Sequence, residues 1–292
     1  MILVVVKTAL IILLMYFGIV FVRDYARTAR QQGLGQASFL SLGVVGFITN
    51  FFDTLGIGSF APTTALLKHF KLTADRTIPG TLNASCTLPA FFQAMIFMTV
   101  IKVDPLTLVA MLAAATAGSV LGAGFVSKLD ERKVRIGLGS ALCAVALVML
   151  AGQVQIMPRG GTAIGLPPGK LLFAAGVNFL LGALQTIGVG LYAPCIALVY
   201  ALGMSPIAAF PIMMSSCAFL QSAASVKFVK EGAYDRKATL AIALFGSVGV
   251  FFAAYIVKSL PLWILKWLVI IVILFTAAMM FKAAFHKESP NK

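Results

Sequence analysis

Apolar residues occur along the chain in long runs that short polar and basic stretches separate. A helical run of about twenty apolar residues spans the roughly 30 Å hydrocarbon core of a bilayer. Such runs lie at residues 1–22, 79–101, 105–127, 135–157, 206–227, 237–257 and 262–284. This pattern predicts an all-α polytopic membrane protein, and a chain that is 60% hydrophobic excludes an ordinary soluble domain.

Two further apolar regions, 37–70 and 170–202, are each interrupted near the centre by glycine and proline. The first interruption reads Asp53-Thr54-Leu55-Gly56-Ile57-Gly58-Ser59-Phe60-Ala61-Pro62. Adding 132 to each number gives Gln185-Thr186-Ile187-Gly188-Val189-Gly190-Leu191-Tyr192-Ala193-Pro194. The same offset continues without a gap to Pro79 and Pro211, and a fixed offset over roughly thirty residues indicates an internal duplication.

The duplication predicts two repeats, each a broken-helix hairpin followed by three transmembrane helices. We divide the chain into an N-terminal helix with a basic loop, repeat 1, a Gly/Pro-rich linker, repeat 2 and a tail: residues 1–36, 37–157, 158–169, 170–284 and 285–292. Each arm of the first hairpin, 37–70, is expected to hold about 16 residues, slightly short for an untilted crossing. Two short tilted helices and two half-helices therefore both stay open. The first apolar run lacks a clear cleavage site after it, so we expect it to be retained.

Charge predicts how the chain is oriented in the membrane. The loops at 23–36, 68–76, 128–135 and 227–237, together with the residues after 281, hold 17 of the 23 Lys and Arg residues. Placing them in the cytoplasm puts the N-terminus outside and the C-terminus inside. Each repeat then makes an odd number of crossings, so the two repeats have inverted topology. Short basic loops between apolar spans explain the net charge of +14 without nucleic acid.

Matched helix breaks in two inverted halves are typical of the binding sites of secondary transporters. Each break frees backbone groups that hydrocarbon cannot satisfy, and each following helix starts near Ala-Pro with N–H groups and partial positive charge that favour an anion. The polar residues after Pro79 and Pro211 are candidate donors at the same depth, with ordinary helix packing as their alternative. The candidate substrate-binding residues are Gly56, Gly58, Ser59, Pro62, Asn83, Ser85, Cys86, Gly188, Gly190, Pro194, Ser215, Ser216, Cys217 and Gln221.

Asp53 is the clearest acid within a membrane segment, and its equivalent in the second repeat is Gln185. An intramembrane carboxylate is costly and suggests function, so Asp53 is the candidate proton-coupling residue. A helix cap at the break is the alternative. The four cysteines form no C-x-x-C pair, and the two histidines are isolated. We therefore expect no metal, no cofactor and no enzymatic activity.

These motifs resemble the TauE/SafE family of sulfite exporters and toluene-sulfonate permeases. The resemblance rests on Phe52-Asp53-Thr54 before a glycine-containing break and Pro62, on Gly188-Val189-Gly190 with Pro194, and on the basic loops. It covers about residues 37–284, although Gly56-Ile57-Gly58-Ser59 holds fewer glycines than many members have. It implies a permease of the plasma membrane, the inner membrane in bacteria, that moves sulfite or an organosulfonate such as sulfoacetate with the proton gradient.

The predicted function is thus a secondary transporter for a small sulfur-containing or carboxylate anion, working by alternating access. Its expected partners are the anion, protons and membrane lipid, and no nucleic acid. An anion channel and a non-transporting scaffold or subunit of a larger complex are the alternatives. The sequence leaves the substrate, the direction of transport and the oligomeric state open, and a homo-oligomer is compatible with it.

Overall fold

The computed structural model describes residues 2–31, 37–121, 130–154, 161–185 and 190–285. These residues form eleven α-helices, two short 3-10 turns and one isolated bridge, between Ala163 and Met204. The helices are α1 (Ile2–Gln31), α2 (Phe39–Thr54), α3 (Phe60–His69), α4 (Ile78–Val100), α5 (Pro105–Leu121), α6 (Glu131–Gln153), α7 (Pro168–Gln185), α8 (Tyr192–Ala201), α9 (Ala209–Lys230), α10 (Arg236–Ser259) and α11 (Leu262–Phe285). The all-α prediction is confirmed.

Six helical segments in the described part of the chain are long and apolar enough to cross a bilayer. They correspond to α1, α4, α6, α9, α10 and α11, and two of them include the short 3-10 turn that precedes α4 or α9. Three shorter apolar helices, α2, α5 and α8, accompany them. The protein is therefore a multi-pass membrane protein, while the direction in which each helix crosses stays a prediction.

The second arm of each hairpin is short. α3 and α8 hold 10 residues each, so at 1.5 Å per residue each spans about 15 Å, half of the hydrocarbon core. Both end because the next residue but one, Lys71 or Gly203, takes a positive φ that stops the helix. The expected length of about 16 residues is thus right for α2 and wrong for α3. By length, α3 and α8 are both half-helices.

The helix bounds follow the duplication. Adding 132 to the bounds of α3 gives those of α8, and the bounds of α6 and α11 agree within one residue. Helices of different repeats pack together in exchanged pairs. α2 of repeat 1 lies against α10 of repeat 2, and their counterparts α7 and α5 lie against each other in the same way. α4 and α9, which are equivalent, pack against each other at the centre. The first arm of each hairpin, α2 or α7, is therefore held mainly by the opposite repeat.

Glycines allow these exchanged helices to approach closely. A Cβ on Gly46 would lie 2.6 Å from the Cα atom of Ile242 on α10. A Cβ on Gly182 would lie 2.0 Å from the carbonyl oxygen of Ala115 on α5. Lipid gives no hydrophobic force between helices, so close packing of small residues is what holds such pairs together.

Two polar contacts fix the peripheral segments. Asp24 of α1 accepts a hydrogen bond from Arg236 Nε at 2.7 Å and another from the Tyr234 hydroxyl. Burial raises the pKa of Tyr234, and its bond to Asp24 raises it further, so the hydroxyl keeps its proton. The described part of the Gly/Pro-rich linker docks on the helix ends, since Ile164 O accepts from Asp104 N at 2.8 Å.

Replacing Gly182 with alanine should destabilise the protein by about 1–3 kcal/mol, because the new methyl group forces α7 away from α5. The matched control is Gly176→Ala on the same helix, where a Cβ would meet nothing within 4 Å. Thermal unfolding of the purified protein in detergent measures both. A Gly182→Ala variant as stable as Gly176→Ala would contradict the close α5–α7 contact.

Candidate functional site

A cavity of about 170 Å³ lies where the starts of α3 and α8 approach each other. Its volume accommodates a small oxyanion, since one water in the liquid occupies about 30 Å³. Side chains of α9 and α11 complete the wall. The lining residues are Asp53, Ile57, Gly58, Ser59, Phe60, Ala61, Pro62, Arg135, Gln185, Gly190, Leu191, Tyr192, Ala193, Cys217, Gln221, Phe275, Thr276, Met279, Met280 and Ala283.

Both half-helices present their first turn to this cavity. The chain turns sharply from α2 into α3 because Gly56 and Gly58 adopt φ values of 99° and 88°, which glycine tolerates best. Pro62 and Pro194 lie in the first turns of α3 and α8, where a missing N–H costs nothing. The remaining first-turn N–H groups have no acceptor within their helix and carry partial positive charge. Two such ends around one cavity favour an anion.

Asp53 belongs to a buried chain of hydrogen bonds that joins the two breaks. Gln93 Nε2, from α4, donates to Asp53 Oδ2 at 2.9 Å and to Thr54 Oγ1 at 2.9 Å. The Tyr192 hydroxyl, at the start of α8, donates to Gln93 Oε1 at 2.9 Å. Asp53, Gln93 and Tyr192 are 6%, 0% and 5% exposed. The carboxylate of one repeat is thereby connected to the helix start of the other.

The equivalent positions of the second repeat do not form such a chain. Gln185, equivalent to Asp53, accepts from Cys217 Sγ at 3.4 Å. Ser225, equivalent to Gln93, pairs with Thr87 at 3.0 Å instead. Phe60 takes the place of Tyr192 and has no hydroxyl. The site is therefore symmetric in its backbone and asymmetric in its polar side chains.

Arg135 of α6 contributes a positive charge to the cavity wall, which sequence reasoning did not anticipate. Its Nη1 donates to the Ala283 carbonyl of α11 at 3.5 Å, and the residue is half-buried. In the sequence it is one of four basic residues in the loop at 128–135, where it counted only as an orientation signal. The packing of α6 on α11 brings it to the site, and no local motif signals that packing.

The structure brings part of the predicted site together. Of the residues that the sequence proposed, those lining the cavity are Asp53, Gly58, Ser59, Pro62, Gly190, Cys217 and Gln221. Cys86 lies just behind, with its Sγ 3.5 Å from Ser59 Oγ, and Gly56 forms the turn itself. Gly188 lies outside the described residues.

The other candidates lie outside the lining. Asn83 Nδ2 donates to Pro79 O at 2.9 Å, and Ser85 Oγ donates to Leu82 O at 3.4 Å, as polar residues in membrane helices commonly do. Ser215 and Ser216 are fully buried in α9. Pro194 is buried in the first turn of α8, below the lining residues Leu191 to Ala193.

A family model described as sulfite exporter TauE/SafE matches residues 2–149 and 171–292. The chain belongs to the TauE/SafE family. It is thus a membrane transporter of the sulfite exporter group, as the resemblance implied. The match begins at residue 2 and so takes in α1, which the motifs had left out. No curated protein and no solved structure gives a significant match to the chain.

Replacing Arg135 with glutamine should weaken the binding of sulfite about 10- to 100-fold, because a hydrogen bond to a charged group contributes about 1.5–3 kcal/mol. Arg132→Gln is the matched control: this exposed arginine of the same helix lies over the Phe285 ring instead. Isothermal titration of the purified variants with sulfite measures both affinities. Equal affinities would remove Arg135 from the site.

Proposed function

We propose that this TauE/SafE transporter is a proton-coupled secondary transporter for sulfite or a small organosulfonate, working by alternating access. One observation supports the proposal above the others. Two half-helix starts, one arginine and one buried carboxylate share a single small cavity. The first three attract an anion, and the fourth is a group that can bind a proton.

The cavity suits a compact, singly charged oxyanion, which for sulfite is the hydrogensulfite form. Its positive contributions come from the first turns of α3 and α8 and from Arg135. The opposite wall, from α11, is apolar and includes Phe275, Met279 and Met280. Three sulfonate oxygens could accept from the helix ends and the arginine, while a short carbon substituent would contact the apolar wall. This combination supports sulfite and small organosulfonates over larger or cationic substrates.

Asp53 gives a physical reason for proton coupling. Its carboxylate lines the cavity and would face the substrate with the same sign of charge. Two like charges about 6–8 Å apart repel by about 2–3 kcal/mol at an effective dielectric constant of about 20. Protonation of Asp53 removes that repulsion. The anion therefore binds best when Asp53 carries a proton.

The two repeats supply the moving parts of the proposal. Their equivalent helices pack in exchanged pairs around the central α4–α9 contact, an arrangement that supports rocking of one half against the other. We place the N-terminus outside and the basic loops inside, in the bacterial inner membrane. Arg135, from a basic loop, then lies toward the cytoplasm, so we expect the cavity to communicate with that side in this conformation.

Asp53→Asn should abolish accumulation driven by a pH gradient and leave anion exchange intact, because asparagine keeps the shape of the side chain but cannot release a proton. Purified protein in proteoliposomes, with radiolabelled sulfite or sulfoacetate, measures both modes of transport. The matched control is Asp75→Asn, an acid with a side chain 64% exposed that contacts Lys68. Proton-driven accumulation by the Asp53→Asn variant at the wild-type rate would remove Asp53 from coupling.

The same liposomes separate the alternatives. A channel would give flux that no pH gradient of either polarity can drive uphill. A scaffold or subunit would give no flux from the purified protein for any of the sulfur anions.

A further inference from the structure

We propose that Tyr192, Gln93 and Asp53 form a proton-controlled hydrogen-bond switch. When Asp53 binds a proton, donor and acceptor exchange roles in the hydrogen bonds of Gln93 with Asp53 and with Tyr192. The Tyr192 hydroxyl then turns from Gln93 to the anion in the cavity. The inference rests on the proposed function and deepens it. It names the group through which the proton acts on the substrate, and it predicts that proton and anion move in the same direction.

With Asp53 ionised, the donor and the acceptor are fixed in each hydrogen bond that Gln93 makes with Asp53, Thr54 and Tyr192. A carboxylate only accepts hydrogen bonds, so Gln93 must turn its amide nitrogen toward Asp53. The second amide hydrogen goes to Thr54 Oγ1, whose own hydrogen is donated to the Asn50 carbonyl at 2.8 Å. The amide oxygen of Gln93 therefore faces Tyr192, which must donate. In this state the Tyr192 hydroxyl hydrogen is held away from the cavity.

Protonation reverses these roles. The Asp53 hydroxyl becomes a donor, and it then faces another donor, the nitrogen of Gln93. A turn of about 180° about the last bond of Gln93 exchanges its oxygen and nitrogen with little change of shape, which suits a fully buried side chain. The amide nitrogen now donates to the Tyr192 oxygen, and the Thr54 hydroxyl turns to the Gln93 oxygen. The switch takes up one proton, at Asp53, and Tyr192 keeps its own.

The released tyrosine hydrogen needs an acceptor, and the cavity is where one can be. Tyr192 lines the cavity at the first turn of α8, where the proposed anion binds. An anion oxygen there would accept a hydrogen bond in the protonated state. In the ionised state the hydroxyl donates to Gln93, and the Asp53 carboxylate beside it is a second acceptor, so the hydrogen is drawn away from the anion. Proton binding therefore strengthens anion binding, and reciprocity requires that the anion favours the proton equally.

The repeat provides an internal comparison for this role. The equivalent positions hold Gln185, Ser225 and Phe60, which have no acid, no amide at the centre and no hydroxyl at the helix start. All three positions differ between the halves, and the three residues of the first set contact one another in order. Packing alone would not need the three differences to fall along one hydrogen-bonded path.

Asp53 itself lines the cavity, and polar and titratable groups other than Gln93 and Tyr192 also face it. The turn supplies Ser59, α4 also supplies Cys86, and α9 supplies Cys217. On the side of α10 that packs against α2, Gly246 lies against Asn50 and Gly249 lies against Phe47 and Phe51, and glycine does not titrate. Arg135 of α6 lines the same cavity. Its positive charge favours ionised Asp53, and an anion bound near Arg135 shifts the balance toward the protonated form.

The test compares anion affinity at pH 5.5 and pH 8 in the full-length protein and its Tyr192→Phe variant. Isothermal titration with methanesulfonate and with sulfate, probes that stay ionised over this range, gives the affinity. Buffers of different ionisation heat give the protons taken up per anion. For Tyr192→Phe we expect about tenfold weaker binding at pH 5.5, the loss of one hydrogen bond to a charged group, and at most about a twofold change at pH 8.

Asp53→Asn completes the design, because the asparagine amide can donate to Gln93 as a protonated acid does. We expect this variant to bind tightly at both pH values without proton uptake. Adding Tyr192→Phe to it should then cost about tenfold at both pH values. Gln93→Met keeps the length but removes the acceptor of the Tyr192 hydroxyl. We expect it to lose part of the pH dependence by binding more tightly at pH 8, and not by binding more weakly at pH 5.5 as Tyr192→Phe does. Thermal unfolding checks that each variant is folded, and Tyr255→Phe, on a residue that is 77% exposed, is the control.

Each outcome supports or overturns the proposed switch. Equal losses at both pH values in Tyr192→Phe would mean a tyrosine that contacts the anion in every state and would overturn the switch. Unchanged binding and proton uptake in that variant would do the same, since the proton would then be accommodated toward Ser59, and it would leave the proposed coupling through Asp53 standing. If neither probe binds at either pH, the anion site fails, and the switch fails with it.

In liposomes the switch predicts uptake when the outside is acidic and none when the outside is alkaline. The opposite polarity would indicate exchange of proton for anion. That result would overturn the switch while leaving a proton-coupled transporter.

Discussion

Hydrocarbon offers no hydrogen-bond partner to a backbone group, and the whole architecture depends on that constraint. A helix can end at membrane depth only where protein or water satisfies its terminal N–H groups. α3 and α8 are about 15 Å long and begin inside the protein, so both begin at a common cavity. The exchanged packing of α2 on α10 and of α7 on α5 holds these ends in place. The cavity is therefore a requirement of the broken helices as well as a place for a substrate.

Symmetry and asymmetry contribute different things to the site. The duplicated backbone brings two partial positive charges to one place, which a single copy could not do. The side chains then depart from the symmetry at Asp53, Gln93 and Tyr192, whose equivalents are Gln185, Ser225 and Phe60. A symmetric cavity could bind an anion equally from either half. A single titratable group linked to only one helix start makes the two halves inequivalent.

Much of the architecture could be predicted because local sequence patterns specify it. Apolar runs give helices, the fixed offset gives the repeat, and glycine next to proline marks the breaks. The ends of α3 and α8 lie within one residue of the ends of the predicted apolar regions, 70 and 202. Their lengths were not predicted, because α3 begins only at Phe60 and α8 only at Tyr192, and the sequence does not show how many residues the break occupies. The sequence identified Asp53 from its cost in a membrane, which is a property of one residue.

The roles of Arg135, Gln93 and Tyr192 depend on contacts between distant helices. Arg135 reaches the site through the packing of α6 on α11, and Tyr192 meets Gln93 across 99 positions of sequence. A tyrosine in an apolar stretch and an arginine in a basic loop both have commoner explanations. Long-range pairing of this kind leaves no periodic or local signal in a single sequence.

The charges at the site together suggest why an acid and an arginine share one small cavity. With Asp53 ionised, its charge and that of Arg135 cancel, leaving the partial charges of two helix ends, about half a unit each. With Asp53 protonated, the arginine adds a full positive charge to them, and a monoanion then brings the site back to the charge of the empty, ionised state. The empty site and the site loaded with one proton and one anion thus carry similar charge. Two states with similar charge have similar desolvation costs in low-dielectric surroundings, which is what the proposed alternating access requires of a carrier that returns empty.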